Sequence, residues 1–221
     1  MLSRSRAAAI VTLVLVIGAD LLSMAADSER LRLVNKVLAD PTSVTLPTLN
    51  ASDDRVVRSG WILLVTAALC AAAFITWMYQ AAKRAQELRQ DALRHSRGWA
   101  VGGWFVPFLN LVRPPQIVND IWASARPLDQ VKRGTPMVAW WWGTLLLSGV
   151  FARVGMAGSE DSLTSLRDST QVSLAGSVVD IAAAVLAIVV VWKVTERIGR
   201  ATPVSYAPPV EVGAGPEAVS S

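Results

Sequence analysis

The chain has 221 residues, of which 52% are hydrophobic and only 17% are charged. Soluble domains carry about 25% charged residues, so this composition, with a mean hydropathy of +0.41, excludes an ordinary soluble domain and indicates an integral membrane protein. The formal net charge is +4, but the bases flank apolar runs and accompany no RNA- or DNA-binding motif, so we expect no nucleic-acid partner.

The first apolar run covers about residues 7–26 and follows Arg4 and Arg6. A bilayer-spanning helix needs about 20 such residues. The basic start and the two small residues Ser23 and Ala25, separated by one residue, are also typical of a secretory signal. Two interpretations therefore stay open, a retained membrane helix or a signal peptide cleaved near residue 25. We expect the helix to be retained, because Asp20 is tolerable near the outer interface.

Apolar residues at helical spacing beyond this run predict that the first helix continues in water to about Asp40, where Pro41 and Pro47 end it. The second run, residues 60–80, is the clearest span, with aromatic rings at both ends as expected at lipid headgroups. Its charged, alanine-rich extension lacks glycine and proline, which predicts a helix as far as Gly98.

The central stretch, residues 98–125, is apolar but interrupted by prolines such as Pro107. Irregular backbone at membrane depth must be buried in protein or face water, so we predict a broken, half-inserted segment on the cytoplasmic side. Two interpretations stay open: a re-entrant element that lines a substrate path, or an interfacial support that closes the bundle. Under the first, Asn110, Arg113 and Asn119 are the polar side chains available to a ligand.

Two further apolar runs, residues 137–157 and 172–194, predict the third and fourth spans, with a polar loop over 157–171 between them. Residues 201–221 are rich in proline and glycine and predict a disordered cytoplasmic tail. We therefore predict an all-α integral membrane helical bundle, with four transmembrane helices plus the broken segment, as one domain over residues 1–200.

The basic residues determine the predicted orientation. With four spans, the bases in 4–6, 83–133 and 193–200 fall on one side, and the opposite loops carry fewer. The positive-inside rule places that side, with both termini, in the cytoplasm. The excess of arginine over lysine and the abundance of alanine are typical of GC-rich bacterial coding. We expect a multi-pass protein of a bacterial plasma membrane whose basic inner face contacts anionic lipid headgroups.

Three charged residues interrupt the apolar spans, namely Asp20, Arg153 and Asp180. Counting about 1.5 Å per residue from the outer helix ends gives them similar depths. Charges inside a bilayer are costly and usually pair, so we predict an outer charged layer in which Arg153 bridges Asp180 and Asp20. The alternative is that Arg153 reaches directly to the outer surface.

Residues able to support catalysis are scarce, since His95 and Cys70 are the only histidine and cysteine. No serine–histidine–aspartate set, HExxH motif or cysteine metal site can be assembled from them. We therefore expect no enzymatic activity, no cofactor and no bound metal.

The order and close spacing of a GW pair, a WFVP run, an asparagine, a proline and a tryptophan resemble the signature of a bacterial membrane-protein family known as a domain of unknown function. The residues that carry the resemblance are Gly98, Trp99, Trp104, Phe105, Pro107, Asn110, Pro114 and Trp122. It covers about residues 60–200 and implies a small multi-span plasma-membrane protein. Because the family has no established activity, the resemblance transfers no catalytic or binding residue.

Two functional hypotheses follow from these observations. The first is a non-enzymatic scaffold or interaction protein, whose partner is another protein or a second copy of the chain. The alternative is a small transporter or channel component that uses the broken segment and the intramembrane acids.

Overall fold

The computed structural model describes residues 1–125, 134–157 and 162–202. Within these ranges the chain forms α-helices and one 3-10 turn at Leu109–Leu111, and no strand. The helices are α1 (Leu2–Ala39), α2 (Leu46–Leu88), α3 (Trp99–Gly102), α4 (Arg113–Ser124), α5 (Pro136–Ala157) and α6 (Leu163–Arg200). Helices α1, α2, α5 and α6 are long and apolar enough to cross a membrane. The predicted all-α bundle with four membrane-crossing helices is therefore confirmed.

The four long helices form an open arc. Helix α1 packs between α2 and α6, and α5 packs on the other side of α6. Over the described parts of α2 and α5, the backbones of these two helices do not come close to each other. The bundle therefore has a gap between α2 and α5, the two ends of the arc.

Many small residues lie between the helices inside the arc, together with large buried rings such as Trp77 and Trp141, and large apolar side chains also cover the outside. Ala9, Ala19 and Ala184 are buried between helices, whereas Leu64 and Val150 remain 58% and 53% exposed. Small residues let helix backbones approach closely. Large apolar side chains can face outward where the surrounding solvent is lipid. The distribution of side chains therefore fits a bundle immersed in a bilayer.

Helices α1 and α2 form an antiparallel hairpin, and its far part, residues 27–58, is called the hairpin end below. Helix α1 runs to Ala39, close to the predicted limit at Asp40. Pro47 was predicted to end the first helix. It lies instead in the first turn of α2, where its missing N–H is not needed. Helix α2 therefore starts at Leu46, long before the predicted span.

Two ion pairs link the helices at the hairpin end. Arg30 Nη2 lies 2.7 Å from Asp53 Oδ1, and Arg55 pairs with Glu29. Exposed pairs of this kind contribute about 0–1 kcal/mol each. Their main effect is to fix how far α1 and α2 slide along each other.

The other end of α2 differs from the prediction. The helix ends at Leu88 and does not continue to Gly98. Arg89 adopts an extended conformation, with φ −156° and ψ 121°, and the chain then turns. The turn brings Arg94 against Asp120 of α4, a tertiary contact that the local alanine-rich sequence does not reveal.

Residues 89–125, called the motif end below, contain the predicted broken segment, which is broken as predicted. Helix α3, the 3-10 turn and α4 follow one another, and two prolines stand in the first turn of α4. A Cβ on Gly103 would lie 2.7 Å from the Trp99 carbonyl oxygen and 2.9 Å from Arg113 Cβ, so only glycine fits there. The depth of this segment in a membrane stays a prediction.

Helix α6 begins earlier than predicted, at Leu163. Ser162 caps it, since its hydroxyl accepts a hydrogen bond of 3.1 Å from the Ser165 N–H. The polar loop predicted before the fourth span was therefore too long. Helix α5 covers the predicted third span, 137–157. The predicted tail, 201–221, lies almost wholly outside the described residues.

Candidate functional site

Two acidic side chains meet inside the bundle. Asp20 of α1 is only 1% exposed, and its carboxyl group lies within hydrogen-bonding reach of the Asp180 carboxyl group of α6. Two carboxylates are both acceptors, so their closeness satisfies neither, and Asp20 Oδ2 has no hydrogen-bond partner. Among the described residues neither acid forms an ion pair. The pair therefore needs either a positively charged partner or a shared proton to compensate it.

Arg153, the third member of the predicted charged layer, does not join this pair. Its side chain is exposed, and its Nη1 donates a 3.0 Å hydrogen bond to the Gly149 carbonyl oxygen of its own helix. Helix α5 turns other residues toward the bundle, among them Ser148 and Ala152. The predicted bridge is thus corrected, and the arrangement matches the alternative in which Arg153 reaches directly to the surface.

A polar cavity of about 510 Å³ extends from the acid pair toward the hairpin end. Asp27 also lines it and accepts a 2.7 Å hydrogen bond from the Ser173 hydroxyl. The one basic side chain in its wall, Arg30, is already bound to Asp53. The wall of this polar cavity therefore carries three carboxyl groups, those of the acid pair and of Asp27, and one arginine that is ion-paired to a fourth acid.

An apolar cavity of about 200 Å³ lies on the other side of the acid pair. It occupies the gap between α2 and α5, and its wall includes Leu13, Cys70 and Phe74. Asp180 lines both cavities. It therefore stands at the junction of the polar and the apolar cavity.

A cluster of rings, here called the aromatic floor, closes the apolar cavity toward the motif end. It consists of Phe74, Trp77, Trp104, Trp141 and Trp142. The ring centroids of Phe74 and Trp141 lie 5.3 Å apart, and those of Phe74 and Trp104 6.1 Å apart, distances typical of favourable aromatic pairs. These contacts join α2, α5 and the motif end where the helices themselves do not pack.

Two indole N–H groups hold the aromatic floor in place by hydrogen bonds. Trp77 Nε1 donates to the Thr195 hydroxyl at 2.8 Å, and Trp142 Nε1 donates to the Leu111 carbonyl oxygen at 2.8 Å. Trp104 Nε1 is buried and has no hydrogen-bond partner. The ring that the motif end contributes to the floor is therefore not hydrogen-bonded through its N–H group.

The motif end also contains a buried acid, Asp120, which the sequence analysis did not single out. It is 2% exposed and accepts hydrogen bonds from Arg94 Nε at 3.0 Å and from the Arg94 backbone N–H at 3.2 Å. Its neighbours Ile117 and Ile121 form the apolar face of α4. An acid on an apolar helix face beside a basic stretch is the signal that could have identified this pair.

Arginines and aromatic rings also stack at the motif end. Arg113 lies over Trp99, with the guanidinium carbon 5.4 Å from the ring centroid, and Arg197 lies 4.4 Å from that of Trp122. Arg113 also contacts His95. These contacts hold the motif end against α6 and make it a compact cap.

The signature residues are spread over this cap and do not form one site. Gly98 precedes α3, Asn110 lies in the 3-10 turn and Pro114 is buried in the first turn of α4. Phe105 and Pro107 are exposed. Only Trp104 reaches the apolar cavity. Asn119, a candidate ligand contact, accepts a 3.1 Å hydrogen bond from the Thr135 N–H and supports the cap.

The polar and the apolar cavity together are called the cleft below. The fold and this cleft define a class, namely a small multi-pass helical membrane protein with an acidic cleft and an aromatic floor. The family model described as "Domain of unknown function (DUF4328)" matches residues 40–196. The chain belongs to this family, and the resemblance stated for its central motif is confirmed. No curated protein and no solved structure matches the chain.

Proposed function

We propose that the protein is a non-enzymatic membrane transporter, or a component of one, that binds a solute in the cleft between α2 and α5. The observation that carries the proposal is the acid pair of Asp20 and Asp180 at the junction of the two cavities. Unpaired charge inside a bundle costs several kcal/mol. Acids kept at membrane depth usually serve an ion, a proton or a substrate.

The shape of the cleft supports a path that is closed on one side. The polar cavity leads away from the acid pair toward the hairpin end, and the aromatic floor separates the pair from the motif end. Trp104 belongs to the irregular motif end and not to a long helix. Broken segments of this kind act as moving gates in transporters, and displacement of Trp104 would open the second side.

The test of the proposal is whether the polar cavity contains water. In a Cys70→Ser background, Ser177→Cys places a thiol in the cavity wall, and Val178→Cys places one on the outer face of α6 at the same depth. A membrane-impermeant, cationic methanethiosulfonate should react with the first variant and not with the second. A cationic reagent should also react faster than an anionic one. An unreactive Ser177→Cys would show a dry bundle and remove the basis for transport.

We further propose that the motif end faces the cytoplasm of a bacterial cell and that both termini lie there. The contact between Arg6 and Trp192 supports this, because it brings the start of α1 beside the last part of α6 at the basic end of the bundle. Single cysteines at the exposed positions Ser43 and Ser96 test it. Only the first should be labelled by an impermeant reagent on intact cells, and labelling of the second would reverse the topology.

We also propose that α1 is retained and not cleaved as a signal peptide. Helix α1 contributes Asp20 and packs between α2 and α6, so its removal would destroy the acid pair. The intact mass of the protein purified from membranes should include residues 1–25. A mass lacking them would contradict both the four-helix bundle and the proposed site.

A second candidate function, a scaffold or interaction surface, is favoured by one observation. Phe105 and Phe108 are 73% and 84% exposed at the motif end, and Phe108 has a positive φ of 62°, which a bulky residue rarely adopts. Basic residues Arg97 and Arg113 flank this loop, as expected near anionic headgroups. A photocrosslinking residue at position 108 should label lipid if the loop lies in the bilayer interface, and a protein if it binds a partner.

A further inference from the structure

We infer that the cleft binds a hydrophobic organic monocation, an amine or quaternary ammonium group that carries a small apolar substituent. The inference rests on the proposed function and names its substrate class. It combines two features of the junction, namely unpaired carboxyl groups on one side and an apolar, ring-lined cavity on the other.

The acidic wall of the polar cavity favours a cationic ligand. Every charged side chain in the wall of the polar cavity comes from α1 or α6: Asp20, Asp27, Arg30 and Asp180. The parts of α2 and α5 that line it contribute only apolar and small polar residues. Since Arg30 is bound to Asp53, three carboxyl groups face the cavity against one base that is already paired. An anion would be repelled, and a neutral ligand would leave the acids uncompensated.

One buried atom points directly to a missing partner. Asp20 is 1% exposed and lines the polar cavity, yet its Oδ2 has no hydrogen-bond partner. Buried polar atoms are almost always satisfied, so this oxygen needs either a proton shared with the neighbouring acid or a cation. A ligand cation that enters the polar cavity replaces that proton and compensates both acids. The neighbour of Asp20 is a second acid, Asp180, and not a base.

The apolar side of the junction sets the character of the rest of the ligand. A cavity of about 150 Å³ lined by apolar groups holds one benzene molecule, and the apolar cavity here measures about 200 Å³. Its wall includes the rings of Phe74, Trp104 and Trp141, which can interact with a cation through their π faces. The ligand therefore has an apolar part about the size of one ring, attached next to its charge.

Other cations fit this site less well. In the described part of the chain, no three histidine, cysteine, aspartate or glutamate side chains gather as a metal site, so a divalent metal would lack ligands. The apolar cavity occupies the gap between α2 and α5, and this gap faces the region that lipid would occupy. This favours a solute that partitions into the membrane over a strongly hydrated inorganic ion.

Two probes of equal shape test the inference. Benzyltrimethylammonium is a hydrophobic monocation, and neopentylbenzene is its uncharged isostere. The full-length protein in lipid nanodiscs should show a saturable change in tryptophan fluorescence with the cation, because Trp104 and Trp141 line the cavity. The neutral isostere should bind more weakly by more than about tenfold. Equal binding of the two probes would overturn the inference, and this comparison needs no variant.

Variants locate the binding site. Asp20→Asn and Asp180→Asn should each weaken binding of benzyltrimethylammonium by more than about tenfold, whereas Asp168→Asn, exposed on α6, should leave it unchanged. Saturable binding that is indifferent to Asp20 and Asp180 would place the cation elsewhere and overturn the inference. If Ser177→Cys proves reactive but no organic cation binds, the substrate class is wrong and the proposed function stands. If Ser177→Cys is unreactive and nothing binds, both fail.

Discussion

Asp20 and Asp120 are almost equally buried, at 1% and 2% exposure, but their surroundings are opposite. Asp120 at the motif end accepts hydrogen bonds from the Arg94 side chain and backbone. Asp20 in the cleft has only another acid, Asp180, beside it. A buried acid with its own arginine is compensated within the fold, whereas a buried acid without one costs stability unless a proton or a ligand compensates it. The comparison thus separates a structural end of the bundle from a binding region.

The largest effect is expected when the paired acid loses its partner. Arg94→Gln leaves the buried Asp120 carboxylate without its charged donor and should lower the free energy of unfolding by about 3 kcal/mol. Chemical denaturation in detergent micelles measures it, with the exposed neighbour Arg97→Gln as the control. The double variant Arg94→Gln/Asp120→Asn should recover part of the loss. Purely additive losses would show that the two residues do not depend on each other.

A somewhat smaller effect tests how tightly the motif end is packed. Gly103→Ala puts a methyl group 2.7 Å from the Trp99 carbonyl oxygen and should destabilise the protein by about 1–3 kcal/mol. At Gly102 nothing lies within 4 Å of an added Cβ. Gly102→Ala should therefore have little effect. Equal melting temperatures for the two variants would mean that the cap is loosely packed.

The unpaired acid should behave in the opposite way. Asp20→Asn removes a buried charge that no described side chain compensates, so it should raise the free energy of unfolding by about 1 kcal/mol while it weakens cation binding. Gain of stability with loss of binding is the combination expected of a functional residue. A clear loss of stability would show that the acid pair is a structural element and that the contrast with Asp120 does not hold.

The smallest effect concerns the residue that was predicted to bridge the acids. Arg153 is exposed, and among the described residues its side chain is hydrogen-bonded to its own helix, so Arg153→Gln should change stability by less than about 0.5 kcal/mol. In a double-mutant cycle with Asp180→Asn the two changes should add. A coupling of more than about 1 kcal/mol would restore the predicted bridge.

The sequence predicted how deep a charged residue lies along its helix better than it predicted which way its side chain points around the helix. The similar depths of Asp20 and Asp180 follow from counting residues, and the two side chains do meet. Arg153 has a comparable depth but points elsewhere, because the rotation of α5 is set by its packing on α6. One contact in that packing is the close approach of Gly176 to Phe151, where an added Cβ would be 3.1 Å from Phe151 Cβ.

Helix ends were predicted where a local signal exists and missed where a distant contact decides. The long apolar runs identified the four spans, and the prolines identified the broken segment. Helix α2 ends before Arg89 because the chain turns there to bring Arg94 to Asp120. No residue near Arg89 predicts this helix end from the sequence. The early start of α6 was readable in principle, since Ser162 is a good N-cap residue.

Helix α2 can also be seen as a rigid rod. Its 43 residues span about 65 Å at about 1.5 Å per residue, roughly twice the hydrocarbon thickness of a bilayer. Near one end it holds Asp53, ion-paired to α1 outside the predicted span, and farther along it carries Phe74 of the aromatic floor. One continuous helix therefore joins the ion pairs of the hairpin end to the aromatic floor, so a tilt of α2 at the hairpin end would displace Phe74 relative to Trp104.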